Sequence, residues 1–109
     1  MGDTDRKAVR VCRVEDVAPG AARRYEVEGF EICVVRCDDG FHAVANMCSH
    51  EDYSLAEGEV DAAQAEIECP KHGSLFSLVT GAPLTLPATR PVAVFEVVVE
   101  TDDVSVVLS

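Results

Sequence analysis

Two short cysteine–histidine pairs constrain the fold of this chain more than any other feature of its sequence. They read CSH at 48–50 and CPKH at 69–72, with residues 51–68 between them. Thiolates and imidazoles are the ligands that zinc and iron–sulfur centres prefer. Chance pairing is rare with five cysteines and three histidines in 109 residues, so the false-positive risk is low. The sequence predicts a metal centre held by two loops, with the ligands Cys48, His50, Cys69 and His72.

The way the ligands are paired bears on which metal they bind. A structural zinc site with two cysteines and two histidines commonly groups like ligands, as C-x₂₋₄-C followed by H-x₃₋₅-H. Here each loop supplies one cysteine and one histidine. A [2Fe–2S] centre in which two histidines replace two cysteines on one iron accepts this mixed pairing. The pattern favours iron–sulfur, and zinc remains the alternative that a visible absorption spectrum would distinguish.

Composition limits the classes of partner. The chain has 20 acidic and nine basic residues and a formal charge of −11, which argues against nucleic acid or an anionic membrane as a partner, because either needs a basic face. The charge favours docking on a basic surface of another protein. No apolar run approaches the roughly 18 residues that span a bilayer, and the polar segment 1–7 does not resemble a targeting signal. We therefore expect a cytoplasmic, monomeric protein that forms one domain over residues 1–109.

The three cysteines outside the pairs lie in valine-rich segments that are typical of strands. We interpret Cys12, Cys33 and Cys37 as small buried hydrophobic residues in a reducing compartment.

The sequence indicates β-structure on both sides of the cysteine–histidine pairs. Alternating or β-branched runs separated by turn residues are typical of strands. Asp39-Gly40 is a two-residue hairpin signal. The predicted strands are Ala8–Val14, Arg24–Glu28, Glu31–Cys37, Phe41–Ala45, Ala65–Glu68, Ser74–Leu78, Val92–Glu100 and Val104–Leu108, with a turn at Gly29 and another across Thr101-Asp102-Asp103.

The segment from about residue 46 to 91 is different and is predicted to form a metal-binding subdomain. Residues 46–59 lack strand alternation, and Pro70 stops ladder pairing. Residues 81–91 hold three prolines, so we interpret them as a stiff loop that lies against the metal site.

The motifs CSHEDYSL and IECPKHGSLFSLVTG resemble those of Rieske-type ferredoxins, the electron carriers of bacterial aromatic-ring-hydroxylating dioxygenases. The resemblance extends over essentially the whole chain. It implies an all-β fold, a Rieske-type antiparallel β-sandwich with an inserted two-loop cluster-binding subdomain. It also implies one [2Fe–2S] cluster, with Cys48 and Cys69 on the buried iron. His50 and His72 would hold the outer iron near the tip of the domain.

The same resemblance implies a soluble one-electron carrier that takes electrons from a ferredoxin reductase and delivers them to a terminal oxygenase. A Rieske protein associated with iron–sulfur cluster assembly or redox sensing is the alternative. High-potential Rieske proteins resemble C-T-H-x-G-C and C-P-C-H, whose additional cysteines form a disulfide. Tyr53 and Lys71 stand at those positions here, and Phe76 stands where those proteins have a tyrosine. These departures point to the low-potential branch.

Four further residues are expected around the cluster beyond its ligands. The resemblance implies that the Ser74 hydroxyl points to a sulfide of the cluster. The charge of Lys71 would stabilise the reduced cluster. Phe76 and Pro87 complete this set. Glu51 and Asp52 are candidate partner contacts or, equally, a solvated loop face.

The chain is not expected to be the oxygenase itself. A mononuclear iron site of that kind needs two histidines and a carboxylate. Once His50 and His72 are assigned to the cluster, only His42 remains. We interpret His42 as a surface residue of a strand and predict a carrier rather than an enzyme.

Overall fold

The computed structural model describes residues 7–46, 54–70, 73–85 and 91–108. Within those ranges the chain forms nine strands and two short 3₁₀ helices, Val14–Asp16 and Leu55–Glu57, and no α-helix. The strands are β1 Lys7–Arg13, β2 Ala22–Val27, β3 Phe30–Cys37, β4 Gly40–Ala45, β5 Val60–Asp61, β6 Glu66–Glu68, β7 Leu75–Ser77, β8 Val94–Glu100 and β9 Asp103–Leu108. The all-β prediction is confirmed. No helix in the described ranges is both long and apolar enough to cross a bilayer.

The strands form two antiparallel sheets. The larger sheet has the order β1-β9-β8-β4-β3-β2, and the smaller has the order β5-β6-β7. Strand β8 pairs with β4 through Ala43↔Phe95 and Val44↔Val94. The smaller sheet is therefore inserted in the chain between two neighbouring strands of the larger one.

Strand β3 is buried on both faces and separates two apolar cores. Because successive side chains of a strand point to opposite faces, Ile32 and Val34 enter the core enclosed by the larger sheet. Cys33, Val35 and Cys37 enter the second core, between β3–β4 and the smaller sheet. This double burial explains the near-continuous apolar run Ile-Cys-Val-Val of β3.

Two hairpin turns differ from their predictions: the first is shifted by one residue, and the last is one residue shorter. Cys37 pairs with Gly40, so the β3–β4 loop is Asp38-Asp39, and Gly40 (φ 127°) already belongs to β4. Glycine directly after the two central residues is typical of a type I turn. Glu100 pairs with Asp103, which leaves Thr101-Asp102 as the last turn.

The predicted hairpin at Gly29 is confirmed. Glu28 and Gly29 have φ values of 49° and 88°, and Val27 pairs with Phe30. Two successive left-handed residues are typical of a type I′ turn, whose twist matches the flanking strands.

The three cysteines outside the pairs are buried free thiols, as the sequence predicts. Burial raises the pKa of Cys33 to about 12. Burial, and then the charges of Asp39, Asp38 and Asp61, raise the pKa of Cys37 to about 11. Both thiols therefore stay protonated at neutral pH and are poor nucleophiles.

The raised pKa of Cys33 predicts a loss of stability at alkaline pH. Because the pKa is about 12 in the folded state and 9.0 in an unperturbed thiol, the contribution is complete below about pH 9 and is lost as pH rises toward 12. Between pH 9 and 11 the wild type should lose about 2 kcal/mol more free energy of unfolding than Cys33→Ala. Urea unfolding at both pH values measures this difference, and parallel pH profiles of the two proteins would contradict it.

Candidate functional site

The second cysteine–histidine pair begins at the tip of the β6–β7 hairpin. Glu68 pairs with Leu75 at the base of this loop. The Cys69 N–H donates to the Ser74 carbonyl at 2.7 Å, and the Gly73 N–H donates to the Cys69 carbonyl at 2.9 Å. Gly73 closes the turn with a φ of 75°, which glycine adopts without steric cost. The Cys69 side chain is thus held at a fixed point, where it is a free thiol and only 1% exposed.

The apolar core reaches Cys69 from one side. Cys69 belongs to the same buried cluster as Leu55, Ile67 and Phe76. Phe76 and Ser74 are both fully buried. This packing excludes water from that side of Cys69.

The proline-containing loop lies along the hairpin that carries Cys69. The Leu84 N–H donates to the Leu75 carbonyl at 2.7 Å, and the Leu75 N–H donates to Thr85 Oγ1 at 2.9 Å. Pro83 forms an isolated bridge with Phe76. The described part of the loop therefore supports β7, the strand that follows the second pair in the chain.

Asn46 joins the two ends of the first loop. Its side chain is buried, with 1% exposure. Nδ2 donates to Ser54 Oγ at 2.9 Å, and Oδ1 accepts the Ala56 N–H at 3.1 Å. The Leu55 N–H donates to the Asn46 carbonyl at 2.6 Å. One residue thus fixes where the loop that contains Cys48 and His50 leaves the sheet and where it returns.

The returning end of the first loop touches the strand that leads to Cys69. A Cβ on Gly58 would lie 1.7 Å from the Glu68 carbonyl oxygen, so only glycine permits this approach. Next to it, the Glu68 N–H donates to the Glu59 carbonyl at 2.8 Å. The two loops are therefore anchored side by side, which is the arrangement that a shared metal centre requires.

Of the predicted site residues, the structure describes Cys69, Ser74 and Phe76. Cys48, His50, Lys71, His72 and Pro87 lie outside the described residues, as do Glu51, Asp52 and Tyr53. His42 lies in β4 with its side chain 18% exposed, and its Nε2 is 2.9 Å from Asp39 Oδ1. The His42 side chain is therefore mostly buried, whereas the sequence predicts a surface position.

Sequence reasoning missed Asn46 and Gly58. The available signals were a single asparagine two residues before the first motif cysteine and an isolated glycine within a loop. Such residues are favoured where the backbone needs a side-chain partner or a close approach.

Comparison with known proteins identifies the family. The family model of the Rieske [2Fe–2S] domain matches residues 7–96, and the chain belongs to this family. The ferredoxin CarAc of Metapseudomonas resinovorans is 40% identical over 99 residues, which cover 90% of this chain and 91% of that protein. Within the family, this chain is a Rieske-type ferredoxin, an electron carrier rather than a catalyst.

Two solved structures show how closely the fold is shared. The ferredoxin of carbazole 1,9a-dioxygenase from Nocardioides aromaticivorans IC177 has a TM-score of 0.87 and 39% identity, covering 92% of this chain and 96% of that one. The ferredoxin matched in a complex of reduced oxygenase and oxidized ferredoxin in carbazole 1,9a-dioxygenase has a TM-score of 0.82 and 40% identity, with 91% of each chain covered. These names do not favour the alternative role in cluster assembly or redox sensing.

The described residues fit the [2Fe–2S] cofactor of the family. An iron–sulfur centre is held by thiolates, and Cys69 is a buried cysteine without a disulfide at a rigid hairpin tip. The anchored first loop returns beside the same strand.

Proposed function

We propose that this protein carries single electrons from a ferredoxin reductase to the terminal oxygenase of a multicomponent aromatic-ring dioxygenase. It does so as a monomer, with the cluster subdomain at about residues 46–91. The observation that carries the proposal is the anchoring of two Cys–His loops side by side, with Gly58 against the Glu68 backbone. The solved structures of a carbazole dioxygenase ferredoxin and of an oxygenase–ferredoxin complex support the oxygenase as the partner.

The proposed cluster ligands are Cys48, His50, Cys69 and His72. When bound, a [2Fe–2S] centre accepts and releases one electron without a change of ligands. The residues of the chain would hold it: the Cys69 turn would fix one thiolate, and Asn46 would fix the ends of the loop that supplies the other. The apolar core behind Cys69 keeps water from that side. This rigidity limits the rearrangement that accompanies each electron transfer.

Around the ligands, we assign tuning roles to Ser74, Phe76, Lys71 and Pro87. Ser74 is fully buried, and its carbonyl accepts the Cys69 N–H. Because Ser74 follows His72 by two residues, its hydroxyl is proposed to donate to a sulfide of the cluster. Phe76 provides an apolar wall without a hydroxyl. The Lys71 charge favours the reduced cluster, and Pro87 stiffens the covering loop.

Ser74→Ala should lower the reduction potential by about 40 mV. A hydrogen bond to a cluster sulfur favours the reduced state by about 1 kcal/mol, and about 59 mV corresponds to a tenfold change for one electron. Ser77→Ala is the matched control, because the Ser77 hydroxyl accepts from Val79 and Thr80 in the following turn. Voltammetry on proteins with full iron content measures this difference, and an unchanged potential in Ser74→Ala would show that Ser74 does not tune the cluster.

Phe76→Tyr should raise the reduction potential by a similar amount if its hydroxyl reaches a cysteine sulfur. The same voltammetry measures this change.

The partner surfaces are proposed to be basic. Beyond the net charge of −11, a surface cavity of about 410 Å³ beside the β5–β7 sheet is lined by Glu59, Asp61 and Glu68. Acidic groups close to the second loop would attract a basic docking face.

Stopped-flow mixing tests this function. The reduced protein, mixed with the oxygenase of carbazole 1,9a-dioxygenase, should transfer its electron at a rate that falls several-fold between about 50 and 500 mM salt. Reversing Glu51 and Asp52 to lysine should slow transfer with little change of potential. Reversing Glu100 and Asp102, at the far end of β8, is the control. A transfer rate that is unchanged by salt and by the charge reversal at Glu51 and Asp52 would contradict docking at the cluster tip. The absence of any electron transfer would contradict the function.

A further inference from the structure

A second cluster of metal-ligating side chains lies on the β3–β4 hairpin. The ligand atoms of Cys37, Asp39 and His42 all lie within 4.8 Å of one another. His42 Nε2 is 2.9 Å from Asp39 Oδ1. The hairpin register explains this convergence. Val35 pairs with His42, and directly paired residues share a face. His42 therefore lies on the same face of the sheet as Cys37, and the turn adds Asp39.

This triad is separate from the proposed iron–sulfur site. The Asp38 N–H donates to the Ala62 carbonyl at 3.0 Å, which places the hairpin against the β5–β6 turn. Cys69 follows the opposite end of β6. The length of β6 therefore separates the triad from the hairpin tip that carries Cys69.

We propose that Cys37, Asp39 and His42 bind one divalent transition-metal ion of the zinc type, with water as a further ligand. On binding, the ion displaces the proton of the Cys37 thiol to solvent. A thiolate, an imidazole and a carboxylate are the three donor types that zinc takes in proteins, and three protein ligands with an open position is a known arrangement. Ligand distances of about 2.0–2.3 Å place two donors on one ion about 3 Å apart. The Nε2–Oδ1 separation of 2.9 Å already meets this requirement.

The surrounding charges favour a cation at this position. Asp38, Asp39 and Asp61 all act electrostatically on the Cys37 side chain. The His42 ring is held by Asp39 and is 18% exposed, so an ion can enter from the solvent side. Cys37 is 8% exposed and closes the inner side of the site. This combination provides a negative field, a fixed ligand pair and an open entry.

The proposal is tested on the holoprotein, with its iron and sulfide in place. Dialysis against zinc sulfate should load one zinc per chain without loss of the visible absorption of the cluster. X-ray absorption at the zinc edge should show one sulfur and two or more nitrogen or oxygen ligands. Zinc that displaces the iron–sulfur cluster would instead show two sulfur ligands and a bleached spectrum. That result, or no zinc retained, would overturn the proposal.

Variants assign the ligands. His42→Gln and Asp39→Asn should each weaken zinc binding at least about tenfold, since even the loss of a supporting group has that effect. Cys37→Ser should remove the sulfur signal. Asp102→Asn removes one negative charge from the turn at the far end of β8 and should leave zinc affinity within about twofold. Unchanged affinity in both His42→Gln and Asp39→Asn would contradict the site. Because these two residues are partly exposed, the test remains valid if Cys37→Ser fails to fold.

Discussion

Asn46→Ala is expected to lower the free energy of unfolding by about 3 kcal/mol and to leave the purified protein deficient in iron and sulfide. The substitution removes the partner of the Ala56 N–H and of the Ser54 hydroxyl. A buried polar group left without its partner costs about 1–3 kcal/mol. The loop that carries Cys48 and His50 also loses the side chain that joins its two ends. Urea unfolding and iron analysis measure the two effects.

Ser54→Ala is the matched control for Asn46→Ala. It removes one hydrogen-bond partner of Asn46 and keeps the contact from Oδ1 to the Ala56 N–H. It should cost about 1 kcal/mol and keep the iron content. Wild-type stability and full iron in Asn46→Ala would show that the first loop is fixed by other contacts.

Gly58→Ala is expected to destabilise the fold strongly, because the added methyl group meets backbone atoms. Its Cβ would lie 1.7 Å from the Glu68 carbonyl oxygen and 3.3 Å from the Leu55 carbonyl oxygen. Both atoms belong to the backbone, so relief requires β6 to move away from the first loop. Overpacking of this kind costs about 1–3 kcal/mol or more, and here it separates the two loops. We expect at least about 3 kcal/mol of destabilisation and loss of most of the cluster.

Gly20→Ala is the matched control, because it adds the same methyl group at a glycine away from the two loops. Gly20 has a φ of 82° and no neighbouring atom within 4 Å of an added Cβ. Its substitution should cost about 1–2 kcal/mol through backbone strain alone and should leave iron content unchanged. Equal effects of the two substitutions would mean that the approach of the first loop to β6 does not determine cluster retention.

The strands and the fold class could be predicted from the sequence because their signals are local. The turn at Glu28-Gly29 follows from the residue types that tolerate left-handed backbone. The predicted position of the turn at Asp38-Asp39 is wrong by one residue, because Gly40 is compatible with the turn itself or with the position after it. Local propensity does not distinguish these two registers.

The supporting residues of the site depend on contacts between distant segments. Asn46 fixes the first loop only because Ser54 and Ala56 return to it, and Gly58 matters only because β6 passes beside it. Cys37 and His42 similarly become neighbours through the register of β3 and β4. No local pattern reports these contacts. The motif of four proposed ligands is recognisable in the sequence because cysteines and histidines rarely occur at that spacing for other reasons.

The proposed function depends on one [2Fe–2S] cluster held by two cysteines and two histidines. Mössbauer spectroscopy of the oxidised, ⁵⁷Fe-enriched protein tests it most directly. Cys48 and Cys69 would give one iron only sulfur ligands, whereas His50 and His72 would give the other two nitrogens. We expect two distinct iron sites in equal amounts. A single type of iron site in a protein with full iron and sulfide content, or zinc without sulfide, would contradict it.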